Sequence, residues 1–266
     1  MVRQRPMIRE DKQQNDNFIK FVGTAGARFV TINQMRSSGG IWISFKGTNL
    51  LIDPGPGSLV KCLEANPRLD PSCLDAIVIT HKHIDHSNDI NIMIEAMTKG
   101  GSQKKGVVFL PGDMLNGDSI LLQYARGLPE RLVTFNEKDT YAVGAIRFTT
   151  PLRHIHSVET YGLKFTFGDK TISFIVDTRY SNEIAEYYKA DIVIINTVFI
   201  EPLAHVDHLS LRDAGRIIAQ IRPQKAILTH FGRDVLNRGP EDLSRALAQE
   251  CGIEVIAARD GMSIEL

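Results

Sequence analysis

The stretch Leu74-Asp75-Ala76-Ile77-Val78-Ile79-Thr80 runs without a break into His81-Lys82-His83-Ile84-Asp85-His86. The first part is apolar and rich in β-branched side chains, which predicts a short buried strand. The second part sets three histidines and an aspartate at its end, where a rigid scaffold presents reactive groups on a loop. Histidines at i and i+2, as at His81 and His83, can point to the same side of an extended or turning backbone. Asp85 and His86 can then face a neighbouring ion. Neutral imidazoles and carboxylates at this density suit Zn²⁺, with Mn²⁺ or Fe²⁺ as substitutes. The alternative, a solvated His/Asp loop, explains poorly why such a loop emerges from an apolar strand.

Upstream of this stretch, residues 18–23, 41–45 and 50–52 read as short strands. Gly39-Gly40, Lys46-Gly47 and the turn at 54–57 punctuate them. Residues 58–66 suit a helix with Ser58 as its N-cap. Downstream, residues 87–98 predict an amphipathic helix with Ile90, Ile94 and Met97 on one face. Strands follow at 107–110, 146–150, 163–167 and 171–176. After Asp177 the pattern alternates, with helices at 182–189, 211–221 and 241–249 and strands at 192–196, 226–229 and 254–257. Strands followed by helix–strand alternation fit two mixed sheets face to face with helices outside, an α/β, four-layer αββα sandwich.

The chain has 266 residues, 43% of them hydrophobic and 23% charged, which suits an ordinary globular protein with a large core. Residues 1–17 are polar and read as a flexible N-terminal segment, leaving 18–266 as a single domain. Lys and Arg number 31 and so do Asp and Glu, so the formal net charge is zero. Such a balance disfavours nucleic acid or a membrane as partner, although a local basic patch could still steer an anionic substrate. Cys62, Cys73 and Cys251 are odd in number and scattered, which fits a reducing compartment better than a disulfide framework. With no signal-like apolar start and no run of about 18 apolar residues, a cytoplasmic protein is expected.

The histidine-rich stretch resembles the metal-binding signature of the metallo-β-lactamase superfamily, most closely its ribonuclease Z and phosphodiesterase branch. The resemblance extends in order along the chain. Asp53, in Leu50-Leu51-Ile52-Asp53-Pro54-Gly55, is similar to an Asp turn that holds the metal loop without binding metal. His156, followed by Tyr161-Gly162, has the spacing of the ribonuclease Z branch. Asp177 in Phe174-Ile175-Val176-Asp177-Thr178 resembles the carboxylate shared by two metals, and His230 in Ile227-Leu228-Thr229-His230-Phe231 the last ligand. Taken alone, Asp177 could as well be a turn residue or a helix N-cap. Carried over position by position, His81, His83 and His156 would hold one ion. Asp85, His86 and His230 would hold the other, with Asp177 between them. His154 competes for the place of His156, which the Tyr-Gly spacing favours; His154 would then support the ligands or face substrate.

His208, in Asp207-His208-Leu209-Ser210, resembles the His-Ser/Thr motif that approaches the scissile phosphate in that branch; packing within its loop is the plainer alternative. His205 has no such support and reads as a surface residue. The glycines of Gly23-Thr24-Ala25-Gly26 and Gly39-Gly40 resemble the first strands of ribonuclease Z, or simply mark hairpin turns.

What the set implies is hydrolysis, since two divalent ions about 3.5–4 Å apart share a water and lower its pKa towards neutrality. The resulting metal-bound hydroxide would attack, with Asp85 orienting it and His208 stabilising the oxyanion or protonating the leaving oxygen. A phosphodiesterase acting on a small or cyclic phosphodiester is the leading expectation. Two departures argue against tRNA processing. His156 and Asp177 lie only 21 positions apart, leaving no room for the tRNA-gripping arm, and Asn196 stands where ribonuclease Z carries Glu. Asn cannot relay a proton as Glu can, which puts a His208 relay in question. The alternatives are a cytosolic lactonase or thioesterase of the same fold, or a ribonuclease Z-like RNA endonuclease. A homodimer is suggested by family analogy alone.

Overall fold

The computed structural model describes residues 17–266. The N-terminal segment expected at 1–17 thus lies outside the described residues, except for Asn17. The first half contributes β1 (Phe18–Phe21), β2 (Ile41–Phe45), β3 (Thr48–Ile52), β4 (Ala76–Val78), β5 (Val107–Leu110) and β6 (Arg131–Thr134). The second contributes β7 (Thr140–Val143), β8 (Ile146–Thr149), β9 (Leu163–Phe167), β10 (Lys170–Ile175), β11 (Ile192–Asn196), β12 (Lys225–Thr229) and β13 (Glu254–Ala257). The last strand, β14 (Ser263–Glu265), returns to the first half.

These strands form two seven-stranded mixed sheets, in the orders β14-β1-β2-β3-β4-β5-β6 and β13-β12-β11-β10-β9-β8-β7. Alternation along the strands divides the apolar side chains between two faces. Ala76 and Val78 of β4 point between the sheets, where they meet the aromatic cluster of Phe109, Phe148, Phe165 and Phe174. Ile77 and Ile79 point the other way, onto Ile90, Met93 and Met97 of a covering helix. On the second sheet, Ile227 faces inward, whereas Ala226 and Leu228 pack outward against Ile217, Ile218 and Leu247. Three apolar clusters between four layers make the αββα sandwich.

The outer layers are α2 (Ser58–Glu64) and α4 (Ile90–Met97) on one side. On the other side are α5 (Glu183–Tyr187), α6 (Leu211–Ile221), α7 (Arg233–Arg238) and α8 (Pro240–Cys251). α6 starts as expected, with Ser210 and Asp213 forming a reciprocal capping box. At α2 the expectation needs correction, because the cap position is Gly57 at φ 88° and the Ser58 hydroxyl donates instead to Gly55 O at 2.7 Å.

The expected helix at 87–98 is also two elements, a single turn α3 (Ile84–Ser87) and then α4. Asp89 divides them. Its amide donates to Pro54 O at 2.9 Å and its carboxylate accepts from Leu59 N at 3.3 Å, tying this point to the turn after β3. The short α1 (Ala27–Ile32), β6, β7, α7 and β14 were not expected. Each is only a few residues long, and β6 has no buried residue, so none carries a periodic apolar signal.

Adjacent pairs β3/β4, β10/β11 and β11/β12 are parallel. Their C-terminal ends therefore open on the same edge of each sheet, the position where α/β folds gather ligand-binding loops.

Candidate metal centre

Asp53 leaves β3 with a left-handed backbone, φ 51°, strained for a non-glycine residue. Its Oδ1 accepts from Thr80 N at 2.7 Å and its Oδ2 from Thr80 Oγ1 at 2.7 Å. Oδ2 also lies 2.9 Å from Nδ1 of His86. One carboxylate thus clamps the end of β4 and orients an imidazole, leaving His86 Nε2 turned to the centre.

His86 Nε2 faces His230 Nε2 at 2.9 Å. His156 Nδ1 lies 2.9 Å from the Asp207 carbonyl, to which it donates, so its Nε2 presents a lone pair towards His83 Nδ1 at 3.1 Å. His81 is fully buried, with Nδ1 3.1 Å from Thr80 Oγ1 and Nε2 3.8 Å from Asp177 Oδ2. Asp177 sits at the middle. Its Oδ2 lies 3.5 Å from His86 Nε2 and its Oδ1 lies 3.4 Å from His230 Nδ1. Asp85 Oδ2 closes one side, 3.5 Å from His230 Nε2 and 3.8 Å from His86 Nε2.

The ligand-type atoms fall into overlapping groups whose members lie within 4.8 Å of one another: His81/His83/His156, Asp85/His86/His230 and His81/His86/Asp177. A fourth group, His156/Asp177/His208, brings His208 to the same place, with its Nδ1 3.3 Å from Asp177 Oδ2. Every residue named from the sequence as a ligand is brought together here. Among the described residues, buried His81 Nε2, His208 Nδ1 and His230 Nδ1 have no hydrogen-bond partner. Leaving such atoms unmatched costs about 1–3 kcal/mol each. Convergent imidazoles and carboxylates with orphaned nitrogens are a donor set that fits divalent Zn, Mn or Fe.

The electrostatics agree. Burial works against the charge on Asp85 and Asp177, but the surrounding histidines outweigh it, His86 foremost at Asp85 and His230 at Asp177, and hold both carboxyls well below the usual range. Burial, helped by His86, pushes His81 well down, and burial with His156 lowers His83 to about 4. These are the protonation states that bind a cation. His86 is the exception. Burial opposes its charge, yet Asp85, Asp177 and Asp53 together raise its pKa well above the ordinary value. The same field would attract a divalent ion.

His154 does not join the cluster. It is buried, with its ring edge-on to Tyr188 at 5.3 Å, and burial lowers its pKa to about 4. Gly162 makes room for it, since a Cβ there would lie 2.6 Å from His154 Nε2. Asn196 is not bonded to His208 but donates from Nδ2 to Asp177 Oδ1 at 2.8 Å. Gly26 lies so close to the last histidine that a Cβ would meet His230 O at 2.1 Å, so this glycine serves the site beyond marking a turn.

The cluster opens into a cleft of about 1000 Å³. Arg28, Asp118, Ser119 and Ile120 line it with His83, His156 and His208. His205, expected at the surface, is exposed and also lines this mouth. Lys82, between His81 and His83, pairs with Asp113 at 3.4 Å and so ties the loop after β5 to the histidine stretch. Arg28 and residues 118–120 were missed from the sequence because loop and single-turn residues carry no period or motif.

A family model described as the beta-lactamase superfamily domain matches residues 48–231. The chain belongs to that superfamily. An uncharacterized protein of Methanocaldococcus jannaschii is 28% identical over 261 residues, covering 93% of this chain and 94% of the relative. Among solved structures, the metallo-β-lactamase fold protein YhfI from Bacillus subtilis superposes with TM-score 0.76 at 21% identity, over 94% of this chain and 99% of that one. A diphosphatase of the PhnP family superposes with TM-score 0.71 at 17% identity, over 94% and 96%. These likenesses establish the fold. Among the described residues, no helix is long and apolar enough to cross a membrane.

Proposed function

We propose that this metal-dependent hydrolase cleaves a small or cyclic phosphodiester at a two-metal centre in the cytoplasm. The observation that carries the reading is the position of Asp177. Its two oxygens face different histidines, Oδ1 towards His230 and Oδ2 towards His81 and His86. His81, His83 and His156 would hold one ion, Asp85, His86 and His230 the other, with Asp177 shared. Zn²⁺ suits this donor set first, Mn²⁺ or Fe²⁺ next.

When bound, such a pair lowers the pKa of a water and draws charge from a phosphoryl oxygen. The chain supplies the rest. Asp85, held ionised by its histidine neighbours, can accept a hydrogen bond from the attacking water and aim it. His208 reaches the cleft beside Asp177, where it can bond the developing oxyanion or hand a proton to the leaving oxygen. Asn196 holds Asp177 and supplies His208 with no proton relay. Arg28 on the rim suits an anionic substrate, and the PhnP-family diphosphatase among the structural neighbours is in keeping with phosphoryl chemistry.

The test is a panel assay on Zn²⁺- and Mn²⁺-loaded protein with bis(p-nitrophenyl) phosphate, a 2′,3′-cyclic nucleotide, a lactone and a thioester. Turnover of the phosphodiesters, lost in Asp85→Ala, is the expected result. Turnover of the lactone or thioester alone would overturn the substrate class.

A further inference from the structure

A second cavity of about 460 Å³ lies directly beside the catalytic cleft. It is walled by Phe29, Val198, Phe199 and Val206, with Arg233 and Asp234 at its rim. The two cavities share Ala27, Arg28, Val206 and His208, so they form one continuous space hinged on His208. A molecule with its reacting group at the metal cluster can extend past His208 into this slot.

The chemistry of the slot is specific. Phe29 is 61% exposed, although it carries one of the larger apolar side chains. The Arg233 guanidinium lies 5.4 Å from its ring centroid, an aromatic and a planar cation beside which a flat π-system can stack. Phe199 lies 6.2 Å, ring to ring, from His208, which places a second aromatic at the junction with the cleft. Among the described residues Arg28 has no hydrogen-bond or ion-pair partner, and it stands where the two cavities meet. Asp234 adds an acceptor to the lining. An apolar aromatic slot, with an unpaired cation where it meets the cleft and an acceptor at its rim, matches a nucleobase linked to a phosphate.

We infer that this slot binds the base of a nucleoside phosphodiester, with Phe29 and Arg233 stacking on the base and Arg28 meeting the phosphate. The inference rests on the phosphodiesterase reading of the adjoining site, and it makes the substrate class a nucleotide. Base recognition then acts through binding, upstream of the bond that breaks.

The experiment compares binding of AMP and ribose 5-phosphate, by calorimetry, to the Zn²⁺-loaded full chain and to its Phe29→Ala and Arg233→Ala variants. Both substitutions are at exposed side chains, so the fold is retained, which circular dichroism checks. The expected result is AMP binding about tenfold or more tighter than ribose 5-phosphate, with that advantage lost in Phe29→Ala and reduced in Arg233→Ala. Ribose 5-phosphate affinity should be the same in all three proteins. Equal affinity for the two ligands, or an AMP advantage that survives both substitutions, overturns the slot while bis(p-nitrophenyl) phosphate turnover keeps the catalytic reading. Binding of neither ligand, in protein that also fails to hydrolyse that phosphodiester, overturns both.

Discussion

Asn196 Nδ2 donates a 2.8 Å hydrogen bond to Oδ1 of Asp177, the carboxylate at the middle of the histidine cluster. Both residues lie on the second sheet, Asn196 at the end of β11 and Asp177 just beyond β10, and the parallel pairing of these strands sets the contact. Where a glutamate could exchange a proton, the amide can only orient. Substituting Asn196→Leu therefore frees Asp177 to rotate. Metal affinity should fall by about 10–100-fold, read from competition with a chromogenic chelator, with little change in the circular dichroism spectrum. Unchanged affinity would mean that Asp177 is held by other contacts.

His208 stands next to the same carboxylate but further out, partly buried at the cleft. Replacing it with alanine should lower kcat by about 10²–10⁴-fold while metal content stays at the wild-type level. Loss of metal in this variant would instead make His208 a ligand.

At Gly26 a single methyl group should disturb the cluster directly. A Cβ there would lie 2.1 Å from His230 O and 2.7 Å from His230 Nδ1, so the loop or the histidine must move. His230 is itself held at φ 58°, which limits its freedom to yield. Gly26→Ala should cost about 1–3 kcal/mol in urea unfolding and weaken metal binding as well.

Most of the candidate site was legible before the fold because its histidines and aspartates come in a fixed order, and several follow an apolar strand directly, as Asp177 follows Phe174-Ile175-Val176. Spacing also favoured His156 over His154, and the structure places His156 within the cluster and the His154 ring edge-on to Tyr188. What the sequence hid were contacts made across the sandwich. The Asp53–His86 pair joins residues 33 positions apart, Asn196–Asp177 19 apart, and Gly26 meets His230 from the other half of the chain. No local pattern encodes such meetings. At the break before α4, Asp89 takes the N-cap position and its amide bonds the Pro54 turn, a contact that the apolar periodicity did not reveal.

Acid should destabilise the protein through His154. Burial lowers this imidazole to about 4, whereas in the unfolded chain it titrates near its ordinary value of 6.5. Between these values the unfolded state takes up a proton that the folded state refuses. The contribution is complete above about pH 6.5 and is lost as pH falls towards about 4, on the order of 3 kcal/mol in all. Urea unfolding at pH 7 and at pH 4.5 should show a smaller acid loss in His154→Gln than in the wild type. Identical losses would place the acid sensitivity elsewhere.

The central claim is that one cluster holds two ions and that both are needed. The direct measurement is a titration of chelator-treated protein with Zn²⁺, following phosphodiester hydrolysis and bound metal by elemental analysis. The account predicts that both rise together and level off at two equivalents per chain, and that His83→Ala and His86→Ala each retain about one. Full activity at a single equivalent, with no second ion bound, would contradict it.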